Sequence, residues 1–181
     1  MGGRHVRGVL FVDYVRSIKR NERARQVLAP EAQHFLTTRV ELDAWYPMEA
    51  FEQLGLAIRT AIVGDDMLEV RRFGREQMEP TFGFVPDLIA EDPREALMRF
   101  QVFLAQFFDF RVMWLEEVTD ESAVLGIHWG MSGSAEEAAC HQALGFLEAL
   151  VRKAGAKTFE GEFLDRGWLG DARSLVHIQW T

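Results

Sequence analysis

Five histidines, one cysteine and several paired acids are the residues of this 181-residue chain that could carry chemistry. Cys140 and His141 are adjacent, the one nucleophile–imidazole pair in the sequence. Neighbours on a helix point about 100° apart, so the ring is badly placed to activate the thiol, and Cys140 is expected to pack as a small hydrophobe. His128 and His177 fall on predicted strands and could face each other across a sheet. A metal would need three or four ligands, and no third has suitable spacing, so no metal site and no cofactor are expected. Of the acid pairs (Glu116 with Glu117, Asp120 with Glu121, Glu136 with Glu137, Glu160 with Glu162), only the last falls on one face of a strand. There it is expected to meet water rather than act as acid and base. The glycines of Gly126-Ile127-His128-Trp129-Gly130-Met131-Ser132-Gly133 match neither a phosphate loop nor a dinucleotide fingerprint. No catalytic set assembles.

The elements that would position these residues are clearest from Phe110 onward. Phe110–Glu116 alternates roughly, and after the Thr119-Asp120-Glu121-Ser122 turn the run Ala123, Leu125, Ile127, Trp129 lies on one side, which together read as a hairpin. Ser134 and Glu137 have capping-box spacing ahead of a helix whose stripe includes Ala139, Cys140, Ala143, Leu144, Leu147, Leu150, Val151 and Ala154. Gly155 is placed to end that helix in a left-handed cap. A second hairpin follows, Lys157–Leu164 and Ser174–Trp180, with Val176, Ile178 and Trp180 on one face and an aromatic-tipped loop between.

Before Phe110 the pattern is mostly helical. A short strand is expected over Val6–Val12, a helix from Asp13 to about Asn21, and another from Glu22 to Phe35 interrupted by Pro30. Pro47 suits the first position of a helix carrying Phe51, Leu54, Ile58 and Ile62, which Gly64 stops. A short helix with Gly74 near its middle or end follows, then a loop over Glu79–Asp92. Asp92-Pro93 caps a last helix with Leu97, Phe100, Leu104 and Phe107 on one stripe. The order predicts a single α+β domain over residues 1–181. Its mainly helical half is 1–108, and 109–181 is a β-β-α-β-β half with a four-stranded antiparallel sheet.

Composition bounds the partners. With 48% hydrophobic and 27% charged residues the chain has an ordinary globular balance. One cysteine leaves no intramolecular disulfide. No apolar stretch approaches the ~20 residues of a membrane span and no signal peptide is evident, so a cytoplasmic protein is expected. Between Arg4 and Arg25 seven basic residues face two acids, a charge of +5 that leaves −13 on the remainder of a −8 chain. An acidic body argues against nucleic acid as the main partner; the basic strip reads as a solvated helix face, with an anionic ligand or the acidic face of a second copy as the alternative occupants.

Several strings resemble the haem-NO-binding and V4R superfamily: the Tyr46-Pro47 helix start, Phe73-Gly74-Arg75, and a helix ending in Phe107-Phe108-Asp109-Phe110. Gly145-Phe146-Leu147-Glu148, Gly155-Ala156 and the closing Ile178-Gln179-Trp180 do so too. The strings look closest to a myxobacterial paralogous family of unknown function. The resemblance implies N-terminal helices packed on a C-terminal sheet, a pocket between them, and kinship with sensors and trafficking-complex subunits. The departures are chemical. Haem-binding members use a proximal histidine on a helix before the sheet and a Tyr-x-Ser-x-Arg string for the propionates. Here no histidine lies between His34 and His128, and the corresponding stretch reads His128 to Gly133. Haem in the family's mode is therefore not expected, and Cys140 alone cannot supply the cysteine clusters of V4R members. If the pocket exists, Phe103, Phe107, Trp114, His128 and Trp129 are expected to line it. The expected function is non-enzymatic binding of a small apolar ligand, as a homodimer or with a protein partner. The alternatives are an interaction module with a filled core, or an enzyme using His128 and His177.

Overall fold

The computed structural model describes residues 3–181, apart from the side chain of Phe84. They form an α+β fold with helices first and a four-stranded antiparallel sheet last, divided into two compact units. Among the described residues, no helix is long and apolar enough to cross a membrane.

The amino-terminal unit comprises the chain up to Asp66 together with Ala105–Phe110. Strand β1 is only His5–Arg7, and helix α1 already begins at Gly8 and runs to Arg20. The strand expected over Val6–Val12 is thus mostly helix: Phe11, Val15 and Ile18 are buried at helical spacing. Helix α2 covers Glu22–Val27 with the Asn21 side chain capping Ala24 N–H, and a 3-10 turn over Pro30–Leu36 replaces its expected continuation. Strand β2 (Trp45–Pro47) pairs with β1, and α3 (Met48–Ile58) follows, with Pro47 at its N-cap rather than inside it. A π-helical turn over Arg59–Val63 ends at Gly64, whose φ of +97° is the left-handed stop that glycine allows. The core is aromatic: Phe11 stacks on Tyr46 at 4.5 Å and meets Phe35 edge-on at 4.8 Å.

The other side of β1 receives residues 107–109. Arg7 N–H donates to the Phe107 carbonyl at 2.8 Å, Val6 bridges Phe108, and Asp109 accepts from His5 N–H at 2.7 Å and pairs with its ring at 2.6 Å. This extended pairing is why the helix expected to end in Phe107-Phe108-Asp109-Phe110 stops at Leu104 instead. Burial opposes ionisation of Asp109, but the hydrogen bonds and charge of His5 hold its pKa below the ordinary value.

The second unit holds Met67–Leu104 and Arg111–Thr181. Helix α4 runs Met67–Phe84, straight through Gly74 and Pro80, so much of the expected Glu79–Asp92 loop is helix. Met78 and Phe82 are buried, and that apolar face carries the helix past the proline. Helix α5 (Pro93–Leu104) starts as expected, with Asp92 accepting from Arg94 N–H at 2.8 Å. Strands β3 (Met113–Val118), β4 (Ser122–Ile127), β5 (Phe159–Asp165) and β6 (Ser174–Trp180) form a sheet of order β3-β4-β6-β5, with helix α6 (Gly133–Lys153) between the two hairpins.

One face of the sheet is apolar: Ala123, Leu125, Ile127, Val176, Ile178 and Trp180 are all buried there, as the alternation predicts. Helix α6 lies on it. A Cβ on Gly161 would stand 2.7 Å from Leu144 of α6. Glu160 and Glu162 face the other way and are exposed. Helix α6 ends as read, with Gly155 at φ +104°.

Candidate functional site

The start of α6 differs from its expected capping box. The helix begins at Gly133 with Ser132 at the N-cap, and the acid that reaches back is Glu136. Its buried carboxylate accepts from Trp129 N–H at 2.8 Å and from Met131 N–H at 2.9 Å. Gly130, between those donors, has φ +71°. The turn therefore wraps a carboxylate with two charge-assisted hydrogen bonds, and the His128 ring stands 3.9 Å from the same group.

Of the five residues named from sequence, Phe107 belongs to the amino-terminal unit and the other four to the sheet unit. Phe103 is half-buried on α5, stacked on Phe100 at 6.3 Å. Trp129 is buried beside Glu136, and His128 is half-exposed. Trp114 stands on the sheet face turned away from α6, covering Gly126. His128 and His177 do not converge. His177 pairs with Val124 on one side and Glu162 on the other, whereas His128 lies four residues beyond Val124, about 13 Å along the strand. The enzyme reading that needed them in one cleft is overturned by this register. Among the described residues no group of three or more His, Cys, Asp or Glu side chains could hold a metal ion.

Cys140 is buried in the apolar stripe, 3.5 Å from the Ser174 hydroxyl. Burial pushes its thiol up to about 12, against a smaller lowering by Ser174. Burial keeps the thiolate scarce at pH 8 and the sulfur out of reach, so alkylation of the folded protein is expected to be negligible and to appear only with denaturant. Mass spectrometry after iodoacetamide treatment checks this, and rapid native labelling would contradict it.

His141 sits beside Cys140 but looks elsewhere. Its ring lies 5.0 Å from Phe163 and 5.9 Å from Trp168, which meet edge-on at 4.9 Å. Burial lowers its pKa first, Arg71 and Arg166 lower it further, and Glu137 opposes them. The native state thus binds fewer protons than the unfolded chain as pH falls through about 6.5, so stability held above that pH is lost below it. A His141→Phe variant is expected to keep its urea midpoint between pH 7.5 and 5.5 while the parent loses some. Parallel curves would refute this.

Two features escaped sequence reasoning because their partners are some seventy residues apart. Gly74 of α4 and Gly145 of α6 let these helices touch backbone to backbone: a Cβ on Gly74 would stand 2.2 Å from the Gln142 carbonyl, and one on Gly145 2.0 Å from that of Arg71. Beside that crossing Glu148 is buried, accepting from Arg71 at 3.0 Å, Arg75 at 3.1 Å and Arg152 at 3.2 Å. The strings Phe73-Gly74-Arg75 and Gly145-Phe146-Leu147-Glu148 thus contain both halves of one contact.

No family model and no curated protein matches the sequence. Solved structures do. A Cs H-NOX variant carrying 4-cyano-L-phenylalanine aligns with TM-score 0.67 at 12% identity, covering 97% of this chain and 96% of that one. The H-NOX protein of S. oneidensis in its Fe(II)NO state aligns with TM-score 0.66 at 12% identity, over 97% and 99%. The unliganded Fe(II) H-NOX protein of K. algicida gives 0.63 at 12%, over 97% and 96%. At that identity the likeness is one of architecture: over nearly its whole length, this chain has the fold of H-NOX proteins.

Proposed function

We propose that this protein is a non-enzymatic ligand-binding regulatory domain of the haem-NO-binding and V4R superfamily that does not hold haem in the H-NOX manner. The Glu136 carboxylate carries this reading. It occupies the backbone N–H groups of Trp129 and Met131, in the stretch that the resemblance aligns with the propionate-binding string. A buried carboxylate there opposes a second negative group. The helices ahead of the sheet in this unit, α4 and α5, carry no histidine for an axial bond, and the Cys140 thiol is protonated. The residues present therefore do not fit haem. In place of it we propose a small apolar ligand, with Phe103, His128 and Trp129 as contacts in the sheet unit. The protein is proposed to act as a cytoplasmic homodimer. A second reading, an interaction module with a filled core, draws support from Met98 and Val102, which are 50% and 66% exposed one turn apart on α5.

Native mass spectrometry of gently purified protein, followed by addition of haemin, separates these readings. A retained organic mass with no sharp, stoichiometric Soret band is the expected result. A clean polypeptide mass moves the assignment to the interaction module, and a tight six-coordinate haem spectrum overturns the proposal.

A further inference from the structure

On the sheet face turned away from α6, Trp114 lies flat over Gly126, where even a Cβ would come 2.2 Å from the indole. One face of the ring is thus pressed on backbone. Two guanidiniums lie over the ring, Arg111 at 5.4 Å and Arg173 at 5.9 Å from its centroid. A single oxygen of Glu116 fixes the arrangement, accepting from Trp114 Nε1–H at 2.7 Å and lying 3.2 Å from an Arg173 nitrogen. Arg111 makes no ion pair among the described residues. Two cations therefore meet one carboxylate, a positive surplus on an acidic protein.

A guanidinium stacked on an aromatic ring keeps its in-plane N–H groups free, and those forks match the oxygens of a carboxylate or phosphate. We infer that Arg111 and Arg173, levelled by Trp114, form a binding site for a small phosphate- or carboxylate-bearing ligand. Glu116 is the positioning residue: it sets the indole and one guanidinium, and its charge keeps the empty site from holding two unopposed cations. Gly126 is required because any side chain would lift the indole. The site stands on these five residues and is independent of an apolar ligand elsewhere in the protein.

The test follows the indole N–H resonances of the full chain by NMR, with the Trp114 signal identified from a Trp114→Phe variant. Sodium phosphate and sodium succinate are titrated separately, each against sodium chloride at matched ionic strength. The expected result is a saturable shift of the Trp114 signal with one or both anions, lost in the Arg111→Gln/Arg173→Gln double variant, while the other indole signals stay in place and report an intact fold. Saturation by phosphate alone assigns a phosphate ligand, and saturation by succinate alone a carboxylate ligand. No shift, an equal shift with chloride, or a shift that survives in the double variant overturns the inference. Since this readout is local to Trp114, its failure leaves the mass-spectrometric test of an apolar ligand untouched.

Discussion

Replacing Gly74 by Ala is expected to destabilise the sheet unit by about 3 kcal/mol, whereas Gly83→Ala on the same helix should stabilise it by roughly 0.5–1 kcal/mol. Both glycines lie within α4, so both substitutions gain the same helix propensity. They differ in what the new methyl meets. At Gly83 nothing lies within 4 Å, and at Gly74 the Gln142 carbonyl would be 2.2 Å away with its carbon at 2.9 Å. Backbone cannot rotate aside as a side chain can, so α4 and α6 must separate and lose packing along their crossing. Gly145→Ala is expected to act alike, since its methyl would meet the Arg71 carbonyl at 2.0 Å and the Arg75 nitrogen at 2.8 Å. Urea midpoints of the three variants check this. If Gly74→Ala and Gly83→Ala shifted the midpoint in the same direction, the close crossing would not exist in solution.

The contrast shows what local pattern could and could not reveal. The β-β-α-β-β block was legible because both hairpins are bounded by turns and strongly periodic, and Gly155 has the one conformation that ends a helix there. Shorter elements were not. Strand β1 has three residues, too few for any period, and is held by pairing with Trp45–Pro47 and residues 107–109, which no local window contains. The loop expected over Glu79–Asp92 includes Pro80, yet α4 continues through it because Met78 and Phe82 are buried on its inner face. The capping box failed for a related reason: Ser134-x-x-Glu137 has the right spacing, but Glu136, one residue earlier, is the acid that reaches the turn. Spacing alone cannot choose between adjacent acids.

At the candidate site the residue types were legible and their company was not. Trp114 and Trp129 lie on strand β3 and just past β4, but alternation turns the first away from α6, and Glu136 anchors the second. His128 and His177 could be placed on strands by pattern, whereas the distance between them follows only from register. Register is a property of pairs of strands, and one sequence displays it only through its turns.

Glu148→Gln is the second large expected effect, a loss of about 2–3 kcal/mol. The carboxylate side chain is only 6% exposed and serves Arg71, Arg75 and Arg152. Removing one partner from a buried pair costs about 3–5 kcal/mol when the remaining charge is stranded. Here the arginines are 23%, 42% and 44% exposed, so water recovers part of that cost. The pH dependence supplies an independent check. Burial opposes ionisation of Glu148, but Arg71 and Arg75, with hydrogen bonds from Arg152 and Arg75, hold its pKa below the ordinary value. A depressed native pKa means the stabilisation is complete above the unfolded value of about 4.3 and is lost as pH falls through the lower native one. The stability curves of the parent and Glu148→Gln should therefore run parallel near neutrality and converge in acid. Because Arg71 and Arg75 approach Glu148 only where Gly74 lets the helices touch, Gly74→Ala and Glu148→Gln should be non-additive, the double variant losing less than the sum. Strict additivity would mean that the glycine crossing and the buried carboxylate are separate devices.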